Sequence, residues 1–330
     1  MKMKMKIDLH SIINRFQNSR NIQEKRKLKP ILDNISEYGY KSSQIYASYG
    51  EDSAAIQLSP ESEDLILITT DAILPEFIQK SPFGAGFSAI YVGIDDIFAC
   101  GGTPVASSVT IAYGDDTIGK EIFRGILDAT NIFKTPLIRG HTATDSSNLA
   151  LSSTIIGSIK TDHFLSARGS KPGNFLAVVW DADGKISPVN KNYWNTITMK
   201  SSEEFFQKRS FLSPAIDKKL ITACKDISNG GIIGTVFQMM QTAKLGAEID
   251  FKILESHLNA DKIDFSPENF VFMFLTSGFL ISGPYETKNL LIDLIKKANM
   301  KFYEIGKVIS SREIYVKYID LKEILLEGYV

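Results

Sequence analysis

Two short apolar runs joined by a polar linker, with carboxylates at their outer ends, constrain this chain more than any other feature. Residues 54–58 and 65–70 have the composition of strands, and the linker 59–64 is rich in turn-forming residues. We therefore predict an antiparallel β-hairpin. If the turn is centred in the linker, simple pairing places Asp52 opposite Asp71.

Two carboxylates that face each other across a hairpin repel, and such a pair is costly unless a cation lies between them. Mg²⁺ takes carboxylate oxygens together with nucleotide phosphates as ligands. Gly50 and Glu51 precede the first aspartate, and Thr70 precedes the second. The pattern favours a shared cation site, whereas either aspartate alone is more typical of a solvent-exposed loop cap.

A helix is predicted over residues 84–100, and Gly101 and Gly102 end it. Its apolar residues recur at the spacing of one helical face: Phe87, Ile90, Tyr91, Ile94 and Phe98. Asp96 shares a different face with three small residues, Ala89, Gly93 and Cys100, which allow close approach of a backbone or ligand. A metal role and a solvent-facing position are both open for Asp96, while Asp95 is expected to face water.

Arg139, Gly140, His141 and Thr142 are expected to form a turn between two apolar segments. A glycine beside a guanidinium suits close approach and bidentate contact with a phosphate. One Arg-Gly pair is weak evidence, and a single histidine is more often a hydrogen-bonded turn residue than a metal ligand or general base.

Asp226, Ser228, Gly230 and Gly231 lie at the start of a predicted amphipathic helix over residues 231–243. Exposed N–H groups at a glycine-rich helix start bind anions. Ordinary capping by the serine or by the neighbouring asparagine is the alternative, and it needs no ligand.

The remaining pattern indicates an α+β protein of two domains. A breaker-rich link at 168–173 separates them, so we predict a helical N-terminal extension (1–45), an N-terminal domain (46–165) and a C-terminal domain (166–330). Further strands are expected at 107–113, 149–159, 175–180 and 270–281, a further helix at 120–133, and a long irregular region at 184–213.

Charge and hydropathy narrow the functional classes. Residues 1–29 carry nine Lys or Arg against two acidic residues, so the rest of the chain has a net charge of −8. Such an acidic body would repel nucleic acid, and the basic run is more typical of a solvated helix face. No apolar segment of signal-peptide length follows the Met-Lys repeat at 1–6, and the longest uncharged apolar stretch, 271–282, is too short to cross a bilayer. With two distant cysteines, these features predict a cytoplasmic protein.

Taken in order, these segments resemble the aminoimidazole ribonucleotide synthetase superfamily. Residues 50–55 are similar to its Gly-Asp-Asp-Ala-Ala motif, 92–104 to its helix end, 139–142 to its Gly-Gly-His/Asp/Glu-Thr loop, 171–174 to its Lys-Pro-Gly-Asp link, and 226–231 to its Asp-x-Ser-x-Gly-Gly turn. The resemblance runs from about Tyr46 to the C-terminus. Within the superfamily, the region around residues 190–195 is most similar to proteins known only as synthase-related.

The resemblance implies a two-domain α+β fold whose N-terminal strands build a β-barrel across a homodimer. It also implies ATP and Mg²⁺. The implied metal ligands are Asp52, Asp71 and Asp96, and the implied catalytic residues are Asp96, Asp226 and His141. The implied nucleotide-binding residues are Gly50, Glu51, Thr70, Gly101, Gly102, Arg139, Gly140, Thr142, Ser228, Gly230 and Gly231.

The expected function is an ATP- and Mg²⁺-dependent phosphotransferase or phosphate-activating synthetase acting on a small metabolite, with thiamine-monophosphate kinase as the nearest named activity. Selenophosphate synthetase is disfavoured because no cysteine precedes Cys100. A nucleotide-binding regulatory dimer without turnover is the competing class. The irregular region offers an acceptor pocket made of Tyr193, Trp194, Asn195 and Lys200, against the alternative of a surface loop anchored by its tryptophan. No motif identifies the acceptor.

Overall fold

Two β-sheets organise the chain in the computed structural model, which describes residues 7–327. The six-stranded unit comprises Ser42–Phe164 and Met199–Leu212, and the seven-stranded unit comprises the residues up to Lys41, Leu165–Thr198 and the residues from Ser213 onward. The predicted two-domain α+β organisation is confirmed. This division assigns the N-terminal extension to the same unit as the C-terminal half, and it assigns 199–212 to the unit of the N-terminal half.

The six-stranded unit contains β1 to β6 in the order β1-β2-β3-β6-β4-β5, with four helices. Its strands are β1 (Ile45–Ala47), β2 (Ala54–Ile56), β3 (Asp64–Ile73), β4 (Thr103–Ala112), β5 (Leu137–Ala143) and β6 (Ala150–Lys160); its helices are α3 (Pro75–Lys80), α4 (Pro82–Ala99), α5 (Asp116–Phe133) and α6 (Ser202–Arg209). The predicted hairpin of β2 and β3 is confirmed. Leu65, Leu67 and Thr69 alternate on the buried face of β3, and α4 packs against β3, β6 and α5.

Asp95 is buried, so the expectation that it faces water is wrong. Its carboxylate accepts hydrogen bonds from Arg209 Nε at 2.7 Å and from the Tyr91 hydroxyl at 2.5 Å. The Arg209 guanidinium, itself buried, also stacks 3.4 Å above the Phe205 ring. The charge is tolerated inside because it is paired, and the pair ties α6 to α4.

The seven-stranded unit has the sheet order β10-β13-β7-β14-β11-β15-β16, and a small sheet has the order β12-β9-β8. Its strands are β7 (Phe175–Trp180), β8 (Lys185–Ile186), β9 (Tyr193–Asn195), β10 (Ala223–Asp226), β11 (Gly246–Asp250), β12 (Phe274–Leu275), β13 (Gly278–Gly283), β14 (Lys301–Ile309), β15 (Ile314–Tyr318) and β16 (Leu321–Leu326). Its helices are α1 (Leu9–Gln17), α2 (Arg20–Tyr38), α7 (Leu212–Asp217), α8 (Gly231–Ala243), α9 (Phe251–Ala260), α10 (Pro267–Phe270) and α11 (Lys288–Lys297).

The N-terminal extension is helical, as predicted, and its first helix belongs to a core. Ile12 and Phe16 are 1% exposed and join the same apolar cluster as Trp180 on the interior strand β7. Asp8 caps α1 by accepting a hydrogen bond from the Ser11 N–H. Residues 1–6, the Met-Lys repeat, lie outside the described residues. In residues 7–327, no helix combines the length and apolarity needed to cross a membrane.

Two sequence-based assignments differ from the structure. The strand predicted over 270–281 is divided: α10 ends at Phe270, β12 is two residues long, and β13 begins only at Gly278. Ser277 lies between the two strands with φ of 53°, a left-handed conformation that ends a strand. The region 184–213, predicted as irregular, contains β8, β9 and α6, and α6 starts with a capping box formed by Ser201 and Glu204.

The buried ion pair gives a stability prediction. Asp95→Asn and Arg209→Met should each lower the free energy of unfolding by about 3–5 kcal/mol, because each leaves the remaining charge uncompensated in a buried site. The double variant should lose less than the sum of the two. Urea denaturation measures all three, with Asp128→Asn on the exposed face of α5 as a control that should change stability by less than about 0.5 kcal/mol. Two neutral single substitutions would contradict this account.

Candidate functional site

Asp96 is held at the point where α4 approaches the sheet most closely. The Thr69 hydroxyl on β3 donates a hydrogen bond of 2.6 Å to Asp96 Oδ2. Gly93 lies one turn earlier on α4, and a Cβ there would be 2.6 Å from Ile155 Cγ1 and 2.9 Å from Thr69 Cγ2. The glycine therefore permits the close contact that brings the carboxylate to the strand. The small-residue face identified in the sequence has this packing role.

Asp52 comes to the same place from a bend that precedes β2. A carboxylate oxygen of Asp52 lies within 4.8 Å of one of Asp96, and both residues are half-buried. The end of α4 also contacts this bend, since Cys100 Sγ lies 3.9 Å from the Ser53 carbonyl oxygen. The structure thus brings together two of the three aspartates that the sequence predicted to converge.

The register that led to this prediction is wrong by one residue. Ala54 pairs with Ile68 and Ala55 with Leu67, so continued pairing would place Asp52 opposite Thr70 instead of Asp71. A slip of one residue turns a strand residue to the other face. Asp52 still reaches Asp96 because it lies in a bend outside the ladder, where strand alternation does not fix its direction.

Asp71 is half-buried and pairs with Ser153 of β6. It lies on the same face of β3 as Thr69, about 7 Å further along the strand. In the described part of the chain, the group of carboxylate oxygens that lie within 4.8 Å of one another includes those of Asp52 and Asp96 but none from Asp71. Its role as a third metal ligand stays a prediction.

The atoms around Asp52 and Asp96 fit a hard cation. Two carboxylates separated by less than 5 Å repel by on the order of 3 kcal/mol at an effective dielectric constant of about 20. Ser53 is 1% exposed, and its hydroxyl oxygen has no hydrogen-bond partner among residues 7–327. A donor set made only of oxygens, with two neighbouring carboxylates, suits Mg²⁺ better than a soft metal.

Gly101 and Gly102 end α4. Gly101 has φ of 84° and donates its N–H to the Phe98 carbonyl, and Gly102 donates to the Ile97 carbonyl. A Cβ on Gly102 would lie 2.4 Å from Leu67 Cδ1. Helix termination and close packing explain both glycines, and the predicted phosphate contacts are untested.

Residues 139–142 form part of a strand, so the predicted turn is wrong. They lie in β5, which pairs in parallel with β4 and occupies one edge of the six-stranded sheet. Every residue of β5 is exposed, including Arg139, Gly140, His141 and Thr142. The catalytic role of His141 stays a prediction.

The glycine-rich start of α8 is used mainly for packing. Asp226 ends β10 and is half-buried. Gly230 and Gly231 have φ of 103° and 68°, and a Cβ on Gly231 would lie 2.4 Å from the Phe272 carbonyl carbon. No side chain caps the helix, so the capping role considered for Ser228 is not found.

Two contacts cover this helix start. The Ile233 N–H donates to the Val271 carbonyl at 2.9 Å. Ile22 Cδ1 of α2 lies 3.4 Å from the position of a Cβ on Gly230 and 3.2 Å from that on Gly234. Ile22 therefore packs on the glycine face of this helix start, a contact that the sequence did not suggest.

The predicted acceptor residues have structural contacts. Trp194 donates its indole N–H to the Asp181 carbonyl at 2.9 Å, and Tyr193 stacks on Phe274 with ring centroids 4.6 Å apart. Asn195 accepts the Ile197 N–H at 3.1 Å and so shapes its own turn. Lys200 belongs to the six-stranded unit. These contacts favour the alternative of an anchored loop.

The sequence matches two consecutive domain families. Residues 50–159 match the N-terminal domain of AIR synthase related proteins, and residues 203–319 match the C-terminal domain of the same proteins. The chain belongs to the AIR synthase related family. The resemblance found in the sequence is confirmed.

Two relatives of this AIR synthase related protein are uncharacterised. One, from Methanocaldococcus jannaschii, is 26% identical over 325 residues, which are 97% of this chain and 97% of the relative. The other, from Synechocystis, is 30% identical over 233 residues, which are 71% of this chain and 69% of the relative. The chain also matches 34% of the length of the Thermoplasma acidophilum phosphoribosylformylglycinamidine synthase subunit PurL, at 23% identity.

Solved structures share the fold. PurL of Thermotoga maritima, crystallised with ADP, aligns with a TM-score of 0.70 at 14% identity over 92% of this chain and 50% of its own. A ThiL protein crystallised with AMPPCP and TMP aligns with a TM-score of 0.60 at 17% identity over 96% of this chain and 98% of its own. The two-domain fold is therefore that of the AIR synthase related proteins.

Gly93 generates a prediction about the site. Gly93→Ala should lower stability by about 1–3 kcal/mol, because the added Cβ overpacks the contact between α4, Ile155 and Thr69. Gly140→Ala is the matched control: its Cβ would meet nothing nearer than the Val109 carbonyl oxygen at 3.3 Å. Thermal unfolding compares them. Equal melting temperatures would mean that α4 does not need the glycine at 93.

Proposed function

We propose that this protein is an ATP- and Mg²⁺-dependent phosphotransferase or phosphate-activating synthetase that acts on a small metabolite. The observation that carries the proposal is the half-buried pair Asp52 and Asp96, whose oxygens lie within 4.8 Å of each other. Crystal structures with ADP, ATP and AMPPCP bound to PurL, and with AMPPCP bound to ThiL, support nucleotide binding in the family.

Asp52 and Asp96 would hold the magnesium ion, with Asp71 as a third candidate ligand. Bound Mg²⁺ neutralises phosphate oxygens as negative charge develops on them in phosphoryl transfer. Thr69 fixes the orientation of the Asp96 carboxylate through its 2.6 Å hydrogen bond, so that carboxylate is preorganised before any ligand binds. The packing of α4 at Gly93 fixes the distance between the helix and the strand.

Asp226 is proposed as a further functional residue, carried over from the family motif that 226–231 resemble. It stands at the end of a strand, immediately before a glycine-rich turn, where a carboxylate is held by a rigid element. Its backbone is fixed by pairing with Phe279 and by the adjacent Ile227 N–H, which donates to the Gly278 carbonyl.

A kinase is the nearest named activity. The ThiL structure, whose bound molecules are AMPPCP and TMP, is covered to 98% by this chain, whereas the PurL structure is covered to 50%. The alignment thus spans almost all of the ThiL protein and half of PurL. Selenophosphate synthesis and nucleotide binding without turnover remain the alternatives, and ADP release with candidate acceptors distinguishes turnover from binding alone.

The aspartate pair predicts metal-dependent binding. Calorimetric titration with ATP should give at least about tenfold tighter binding with Mg²⁺ than with a chelator, because the carboxylates otherwise repel the triphosphate. Asp52→Asn and Asp96→Asn should remove this difference and abolish ADP release with little change in melting temperature. Asp128→Asn is the charge-matched control. Equal ATP affinity with and without Mg²⁺ would refute the metal-bridged site.

We also propose that the protein is a homodimer that pairs the six-stranded units of two copies. The support within this chain is β5, an edge strand exposed along its whole length, with Ile138 64% exposed. Exposed apolar edges lead to aggregation unless another chain covers them.

The homodimer proposal predicts that Ile138→Lys weakens association at least about tenfold, since it places a charge on the covered edge. Leu290→Lys, at an equally exposed position on α11 of the seven-stranded unit, is the control. Light scattering after size-exclusion chromatography gives the masses. A monomeric unsubstituted protein, or two variants that dissociate alike, would contradict pairing through β5.

A further inference from the structure

A cavity of about 410 Å³ lies in the seven-stranded unit at the start of β14, between α9 and α11. None of the residues assigned above to metal, nucleotide or acceptor lines it. Its volume is within the range of sites that hold small metabolites. The wall is formed by His257, Asp261, Lys288, Ile292, Ile295, Lys296, Asn299, Met300, Lys301, Phe302 and Glu304.

The two carboxylates of the wall are each neutralised by a lysine of the same wall. Lys301 Nζ donates to Asp261 Oδ1 at 2.6 Å, and Lys288 Nζ donates to Glu304 Oε2 at 2.8 Å. Tyr303 donates a second hydrogen bond to Asp261, at 2.8 Å. These contacts make the negative side chains part of the framework of the cavity, and they leave an excess of one lysine.

The excess charge belongs to Lys296, which forms no ion pair with a carboxylate of the described chain. It lies exposed near the C-terminal end of α11. The His257 ring is half-buried and stacks on Tyr303 with centroids 5.0 Å apart. The cavity wall therefore combines an exposed ammonium group with a half-buried imidazole.

The pKa of the His257 imidazole depends on burial and on the charged groups around it. Burial lowers the pKa of His257, while Glu304 and Asp261 raise it and Lys288 lowers it further. Its imidazole is consequently neutral near pH 7. A negative group placed beside the ring would favour its protonated form and raise that pKa.

We propose that this cavity binds a small organic anion, whose single carboxylate or phosphate group lies against Lys296 and His257. The apolar body of the ligand packs on the remaining wall, formed by Ile292, Ile295, Met300 and Phe302. A net positive cavity with one apolar wall selects such amphipathic anions over uncharged compounds and over inorganic ions. The site does not depend on the function proposed above.

Nuclear magnetic resonance of the histidine side chains tests the proposal on the full chain, which has four histidines. The probes are phenyl phosphate, benzoate, inorganic phosphate and phenol. Phenyl phosphate or benzoate should shift the His257 signal in a saturable way and raise its pKa, and comparing the two identifies the anionic group. Inorganic phosphate and phenol should bind at least about tenfold more weakly, because each lacks one half of the required chemistry.

Neighbouring lysines provide a matched pair of variants. Lys296→Ala should weaken binding of the better probe about tenfold, the loss that corresponds to one charge-assisted hydrogen bond, while Lys297→Ala, which does not line the cavity, should leave it unchanged. His257→Gln should weaken binding at low pH more than at high pH. Absence of a saturable His257 shift with either organic anion, or equal losses in the two lysine variants, would overturn the proposal.

Discussion

The close approach of α4 to β3 and β6 is the constraint on which the candidate metal site depends. A helix and a sheet can touch this closely only where a side chain is missing, and Gly93 supplies that gap. One helical turn later, Asp96 then falls within hydrogen-bonding distance of Thr69. The site is thus a consequence of backbone packing, and the polar contact completes a geometry that apolar contacts have set.

The glycines in the segments that resemble family motifs can serve two purposes, and the sequence alone does not separate them. Gly101, Gly102 and Gly231 each have a packing or backbone reason to lack a side chain. A glycine that lets a backbone approach a phosphate and a glycine that lets two elements touch have the same sequence signature. The structure assigns the second purpose to these positions directly, whereas the first rests on the family resemblance.

Elements with strong periodicity were predictable, and contacts between distant segments were not. The strand 175–180 and the helix 231–243 were predicted at their observed bounds. Asp95 was misjudged because its partner, Arg209, is 114 residues away, and local spacing carries no information about that distance. The convergence of Asp52 and Asp96 was found despite a wrong register, since a bend outside the ladder is not bound by strand alternation. Arg139 was placed in a turn because a short exposed strand lacks an apolar pattern.

The insertion of α1 into the seven-stranded core affects the order of folding. Phe16 of α1 packs edge to face on Phe237 of α8, and α1 also contacts β15 and β16, which are synthesised roughly 300 residues later. During translation, Ile12 and Phe16 therefore lack a complete set of native neighbours until β15 and β16 have emerged. The closure of such a long loop is entropically slow. Helix α1 can therefore dock completely only after β15 and β16 have been made, and a chaperone that protects apolar segments would act on it in that interval.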